Sequence, residues 1–291
     1  MFNWLRNHRR AELRAKPFPE EWREFLKSHA AHYGWLNVAE RERLESDTQI
    51  FIAEKQWEGA KGFNLTDEIK VIIAAQACLL LLGWKEPHYF PNVSTVIVYP
   101  SGFRTKSRRR DGYLETEKQH NVLGEAWSGD LPVVVSWDDA VNGSEDPEDG
   151  HSVILHEFAH KLDMLGGGAN GVPPLSGGDA TYDTWAQVMS QEFRVLRYAA
   201  WQGQESVLDD YGAENEAEFF AVATETFFEK PYYLYQERPL LYALLKNYYQ
   251  QDTMGRWQEW QKSEISLSEP NNSTGADVFF PAYPTEYIAE D

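Results

Sequence analysis

Cysteine is almost missing from this sequence: Cys78 is the only one in 291 residues. An internal disulfide is therefore excluded, and the composition does not advertise an oxidising compartment. The neighbours of Cys78, "AAQACLLLLG", describe a buried thiol and not a nucleophile. Long apolar runs are missing too. The longest, Val71 to Trp84, carries Gln76 and is too short to span a bilayer. The opening "MFNWLRNHRRAELRAKPFPEEW" lacks the apolar run of a secretory leader. Basic residues are scarce: 27 stand against 46 acidic ones, a formal charge of -19. A nucleic-acid binder shows the opposite balance. The basic runs are local, Arg6 to Arg14 and Lys106 to Arg110, and the second reads as a solvated loop between Gly102 and Gly112. The expectation is a soluble acidic protein of the cytoplasm, with no direct contact to nucleic acid or membrane.

What the chain has in quantity is aromatic side chains: 11 Trp, 15 Tyr and 15 Phe. That supply suits one sizeable core and argues against disorder. Residues Glu20 to Gly59 read as helices from their three- and four-residue apolar spacing. "LTDEIKVIIAAQACLLLLG" has Thr66 as its cap and acids in its first turn, and is apolar nearly all round, so it reads as a central buried helix. "STVIVYP" and "LPVVVSWDD", from Ser94 and Leu131 respectively, are short and β-branched, which is strand chemistry. "GEAWSG" from Gly124 reads as an edge strand or a turn beside them, and Asn142 to Gly150 as a polar loop. Helical patterns then run to about Lys262. The expected organisation is one α+β domain over residues 1–262, with a helical part at about 20–92, a core at about 93–262 and a tail at 263–291.

The chemistry concentrates in "HSVILHEFAHKLDMLGGG". On a helix, residues four apart share a face, so His156 and His160 point the same way. Their ring nitrogens can converge on one zinc ion at about 2.0–2.1 Å. Glu157 is turned aside from the ion but stays near it, as a general base acting on activated water would. Without a metal, two imidazoles and a carboxylate on an apolar helix leave polar groups to be satisfied. Asp163, on the same helical side, is placed either to accept a ring N–H or to end the helix as a solvated acid. The glycines at 166–168 and 177–178 bracket a stretch that reads as a helix exit or a mobile loop.

A catalytic zinc takes three protein ligands and keeps a fourth position open. The third histidine of an extended motif is missing here, since "KLDMLGGG" follows His160. The ligand has to come from elsewhere, and "YGAENEAEFFAVATETFFEK" offers Glu214, Glu216, Glu218 and Glu225. Glu218 is favoured because "FFAVA" follows it and takes it to the core side of a helix. Glu225 lies two turns further on, placed to back the site or to serve as a structural acid. The competing reading is that Asn215 and Glu218 form a helix-capping box.

"HEFAHKLD" followed by "YGAENEAEFFAVATETFF" closely resembles the Mlc titration factor A family, bacterial zinc peptidases of the gluzincin type. "LTDEIKVIIAAQACLLLLG", "FPNVSTVIVYPS" and "GEAWSGDLPVVVSWDD" extend the likeness from about Trp35 to Asp252. The resemblance implies a zincin-like metallopeptidase core with a small mixed sheet. It implies one zinc per chain on His156, His160 and Glu218, with Glu157 as base. It also implies that Tyr211 acts in catalysis, where a phenol can donate to a developing oxyanion. Aminopeptidase-like cleavage of short peptides follows from it, as does binding of a transcriptional repressor of sugar uptake. The rival expectation is a non-catalytic regulatory protein that sequesters such a repressor, its zinc structural or vestigial. "PVVVSWDD" reads either as an edge along which a peptide would lie as an added strand or as a plain core strand.

Overall fold

The computed structural model describes residues 2–101, 132–145 and 150–268. In these the fold is α+β: helices dominate, around one three-stranded sheet. Helices α1 (Phe2–Arg14), α2 (Glu20–His29), α3 (Ala31–Trp35) and α4 (Val38–Glu54) precede strand β1 (Gln56–Gly59). Helix α5 (Asp67–Leu79) then leads to strands β2 (Thr95–Tyr99) and β3 (Val133–Ser136). The chain continues as α6 (Trp137–Glu145), α7 (Val153–Met164), α8 (Asp179–Gln202) and α9 (Glu216–Glu229). It closes with α10 (Pro231–Glu237), α11 (Pro239–Tyr249) and α12 (Thr253–Ser268). No helix among the described residues is long and apolar enough to cross a membrane.

Helix starts follow the capping chemistry of the sequence. At α4, the Asn37 side chain accepts the Glu40 N–H and Glu40 accepts the Asn37 N–H, both at 3.0 Å. At α5, the Thr66 hydroxyl accepts the Ile69 N–H at 3.3 Å. Helix α5 is central as expected: every residue from Val71 to Leu79 is buried, Cys78 among them. Each large aliphatic side chain removed from water there contributes about 1.5–3 kcal/mol. The chain leaves α5 through a turn ending at Gly83. A Cβ on Gly83 would meet the Tyr249 and Gln250 carbonyl oxygens at 2.3 Å, so only glycine lets these backbones approach.

The sheet order is β1-β2-β3 and both pairings are parallel, with Gln56 opposite Thr95 and Val96 opposite Val133. Val96, Val98, Val133 and Val135 are fully buried. Three expectations are corrected here. Gln56 to Gly59 is a strand and not the end of a helix. Lys55 turns extended after α4 and its ammonium donates to the Phe90 and Val93 carbonyls at 2.8 and 2.7 Å. That fastens the chain beside β2, where the Gln56 N–H reaches the Ser94 carbonyl at 2.8 Å. At the other edge, Trp137 to Asp139 do not extend β3 but begin α6, with Asp138 and Asp139 favourably placed in a first helical turn. Helix α6 also takes in Asn142 to Glu145, expected to be loop.

The basic opening run forms α1, a helix in addition to those expected from Glu20 onward. Arg10 clamps the Glu54 carboxylate with two hydrogen bonds of 2.7 Å, and Arg14 donates to the Tyr89 hydroxyl at 2.9 Å. The Lys106–Arg110 run and "GEAWSG" lie outside the described residues, as does the tail beyond Ser268; residues up to Ser268 still belong to α12. Helix α7 sits at the centre of the arrangement, packed on β3, α5, α6 and α9.

Candidate metal centre

Helix α7 begins at Ser152, whose hydroxyl accepts the Leu155 N–H at 3.3 Å. One face of the helix buries Phe158 against Phe51 and Phe90, with ring centroids 5.6 and 4.7 Å away. Another face carries His156 and His160, both buried, their Nε2 atoms 3.1 Å apart. Helix α9 packs across this face and begins at Asn215, whose side-chain oxygen accepts the N–H groups of Ala217 and Glu218 at 3.0 Å each. Half of the anticipated capping box is thus made. The Glu218 carboxylate goes to the histidines: Oε2 lies 3.0 Å from His156 Nε2 and 3.3 Å from His160 Nε2.

These three atoms form a nearly equilateral triangle. A tetrahedral ion with ligand bonds of about 2.0–2.1 Å needs ligand-to-ligand edges of about 3.3–3.4 Å, close to what the triangle offers. Among the described residues His156, His160 and Glu218 are the group able to hold a metal ion, with all three ligand atoms within 4.8 Å of one another. Glu214 and Glu216 lie outside that group. The donor chemistry fits as well. Glu218 and the Glu225 carboxylate behind His156 bring two negative charges into a buried space, which a divalent cation would match.

Glu225 bridges two donors. Its Oε1 lies 2.7 Å from His156 Nδ1 and its Oε2 accepts the Ser152 N–H at 2.8 Å. The His156 ring is therefore held on both nitrogens, each by a carboxylate of α9. Burial pulls the His156 pKa down, but the charges and hydrogen bonds of Glu225 and Glu218 overcome it and raise the pKa well above the usual imidazole value. Burial likewise pushes the Glu218 carboxyl up, and its hydrogen bonds to His156 and His160 win, leaving its pKa lowered.

Asp163 plays neither part expected of it. It is fully buried and accepts the backbone N–H groups of Gly171 and Val172 at 2.7 and 2.9 Å. Burial raises its pKa to about 6 against those bonds. Together with Trp185, which donates to the Gly171 carbonyl at 2.9 Å, it pins the glycine-rich segment that leaves α7. Gly171 has φ +75°, and a Cβ there would strike the Glu216 carbonyl oxygen at 2.5 Å, so the segment passes directly under the start of α9.

Glu157 is half-buried beside the histidines, and one turn on lies buried Lys161. Burial lowers the Lys161 pKa while the Glu157 charge opposes that. Tyr211 is half-buried in a short turn over Asp210–Ala213, its N–H bonded to the Asp209 side chain at 2.7 Å. Its ring centroid is 5.9 Å from that of His156. Gln76 and Ser152, which join this network, had not been singled out. The available signal was one amide in an otherwise apolar helix and a serine at the capping position.

A model of the family described as glucose-regulated metallo-peptidase M90 matches residues 3–250. The chain belongs to the M90 metallo-peptidase family. Its relatives include an uncharacterized protein of Synechocystis sp., 38% identical over 248 residues, covering 85% of this chain and 89% of the relative. Mlc titration factor A of Yersinia pestis is 30% identical over 276 residues, covering 93% of this chain and 97% of the relative. The protein of the same name in Yersinia pseudotuberculosis matches to the same extent. The M90 match runs from within α1 to the end of α11, so it takes in the sheet and every residue of the histidine–glutamate cluster.

Proposed function

We propose that this M90 protein is a cytoplasmic zinc peptidase that cleaves short peptides in the manner of an aminopeptidase. The observation that carries the reading is the triangle of His156 Nε2, His160 Nε2 and Glu218 Oε2, with edges of 3.0 to 3.3 Å. These residues would hold one zinc ion per chain. Bound there, zinc would supply a Lewis acid that polarises a peptide carbonyl and makes water acidic near neutral pH. Glu157 takes the proton from the attacking water and delivers it to the leaving amine. The Tyr211 hydroxyl donates to the oxyanion that forms at the carbonyl carbon. Strand β3 has no neighbour on its outer side among the described residues, which suits a peptide bound in extended form. The unit proposed to do this is one domain over residues 1–262, supported by a single buried cluster that runs from Leu26 to Met254.

Metal analysis combined with peptide cleavage profiling tests the proposal. The expected result is about one zinc per chain, with hydrolysis lost and zinc kept in Glu157→Gln. Undiminished turnover by that variant would remove Glu157 from its role. A second reading rests on the relatives named Mlc titration factor A. In it the chain binds a transcriptional repressor of sugar uptake, as a regulatory surface in addition to, or in place of, peptide cleavage. Zinc at one per chain, no cleavage across a peptide library and stable capture of the purified repressor would favour it.

A further inference from the structure

We propose that Gln76, on the buried helix α5, is a positioning residue for the metal centre, acting through Ser152 and Glu225. The inference rests on the reading that His156, His160 and Glu218 hold a divalent metal. Gln76 is buried in a helix whose other neighbouring positions are apolar, where an amide without partners is costly. Its Oε1 accepts the Ser152 hydroxyl at 2.8 Å. A hydroxyl has one proton, and here Gln76 takes it. The remaining lone pairs are thereby turned towards the Leu155 N–H, which the same oxygen caps at 3.3 Å.

Ser152 is the hinge of the arrangement. Its hydroxyl fixes the first turn of α7, while its own N–H holds Glu225 Oε2 at 2.8 Å. The other oxygen of Glu225 holds His156 Nδ1 at 2.7 Å. A ring nitrogen that donates to a carboxylate commits the imidazole to one orientation and leaves the opposite nitrogen facing the metal position. The chain of bonds therefore runs from α5, through the cap of α7 and the second carboxylate of α9, to a ligand ring. Loss of the Gln76 acceptor frees the Ser152 hydroxyl to turn, which loosens both the cap and the seat of Glu225.

Gln76→Leu is nearly isosteric and removes the acceptor of the Ser152 hydroxyl. Zinc affinity, measured by chelator competition, is expected to fall about 10- to 100-fold. The nuclear magnetic resonance signal of the His156 Nδ1–H proton is expected to move upfield and to exchange faster with solvent. Ser152→Ala gives both readouts should Gln76→Leu fail to fold. The double variant, lacking both partners, is expected to be no worse than either single one, because the two act in series. Zinc affinity within twofold of wild type together with an unchanged His156 signal in folded Gln76→Leu would overturn the proposal. Additive losses in the double variant would do the same. If the wild type bound no zinc, the peptidase reading would fail, while the His156 proton would still decide whether Gln76 acts through this chain.

Discussion

Loading the metal-free protein with zinc should expel about one proton per ion at neutral pH, because a ligand must be deprotonated to bind. Without a metal, the space between α7 and α9 holds two carboxylates around the His156 ring, at 3.0 and 2.7 Å. Burial opposes them, but their charge and hydrogen bonds win and raise the His156 pKa well above 6.5. The sign follows from that direction. In the metal-free protein, His156 adds stability that is fully present below its unfolded pKa and is lost as pH rises through the raised folded value. Glu218, with its pKa lowered, adds stability that is present above the ordinary carboxylate value and is lost on acidification. Zinc must displace the His156 proton, so its apparent affinity should climb about tenfold, roughly 1.4 kcal/mol, per pH unit until the raised pKa is passed. Titration calorimetry in buffers of differing ionisation enthalpy reads the proton count directly. A count near zero at pH 7 and an affinity flat from pH 6 to 8 would mean that His156 is neutral without metal. The charge argument for the centre would then be wrong.

Tyr211→Phe should keep its zinc and lose about 10²- to 10³-fold in kcat, because the phenol lies beside His156 but outside the ligand triangle; an unchanged kcat would return Tyr211 to plain packing. Phe158→Ala should cost about 3–5 kcal/mol in denaturant unfolding by emptying the contact with Phe51 and Phe90, while zinc content in the folded fraction stays the same. Burial holds the His32 pKa down to about 4, against its hydrogen bond to the Phe228 carbonyl and with help from the Arg256 charge. A depressed histidine pKa means stability is full above about 6.5 and drains as pH falls towards 4; the buried Glu229 carboxylate, 3.6 Å from His32 Nε2, opposes the loss and keeps it below about 2 kcal/mol between pH 7 and 5. His32→Gln should flatten that part of the pH dependence, and an unaltered slope would show that His32 does not titrate with unfolding.

The motif helix was legible because its information is local. Ser152, His156 and His160 lie within nine residues, and helical geometry alone puts the two rings on one face. Glu218 was harder to read. Asn215 with a glutamate three residues later is also a capping signal, and the structure uses Asn215 as the cap while sending the glutamate elsewhere. Neither the strand at Gln56 nor the helix at Trp137 could be read from local pattern. Their fates depend on Lys55 reaching two carbonyls some 35 and 38 residues away and on where the sheet stops. Asp163 was misread for a related reason. Its partners, Gly171 and Val172, are brought back to it by a loop whose path no periodicity encodes.

The spacing of the two acids on α9 explains why one helix can govern the whole centre. Seven residues are two turns, about 10.5 Å of rise on one face. An imidazole held by a carboxylate at each nitrogen needs the two acids on opposite sides of the ring, and Glu218 and Glu225 stand on either side of His156. Glutamates one turn apart would stand about 6 Å from each other and would crowd the same edge of the ring. With the spacing of seven, Glu218 joins the Nε2 atoms of His156 and His160, and Glu225 turns away to the cap of α7, where Ser152 and Gln76 complete its surroundings. Any shift of α9 along its axis must then change both contacts together. The orientation of His156 is thus set by the packing of α9 on α7 and is not left to the freedom of a single side chain.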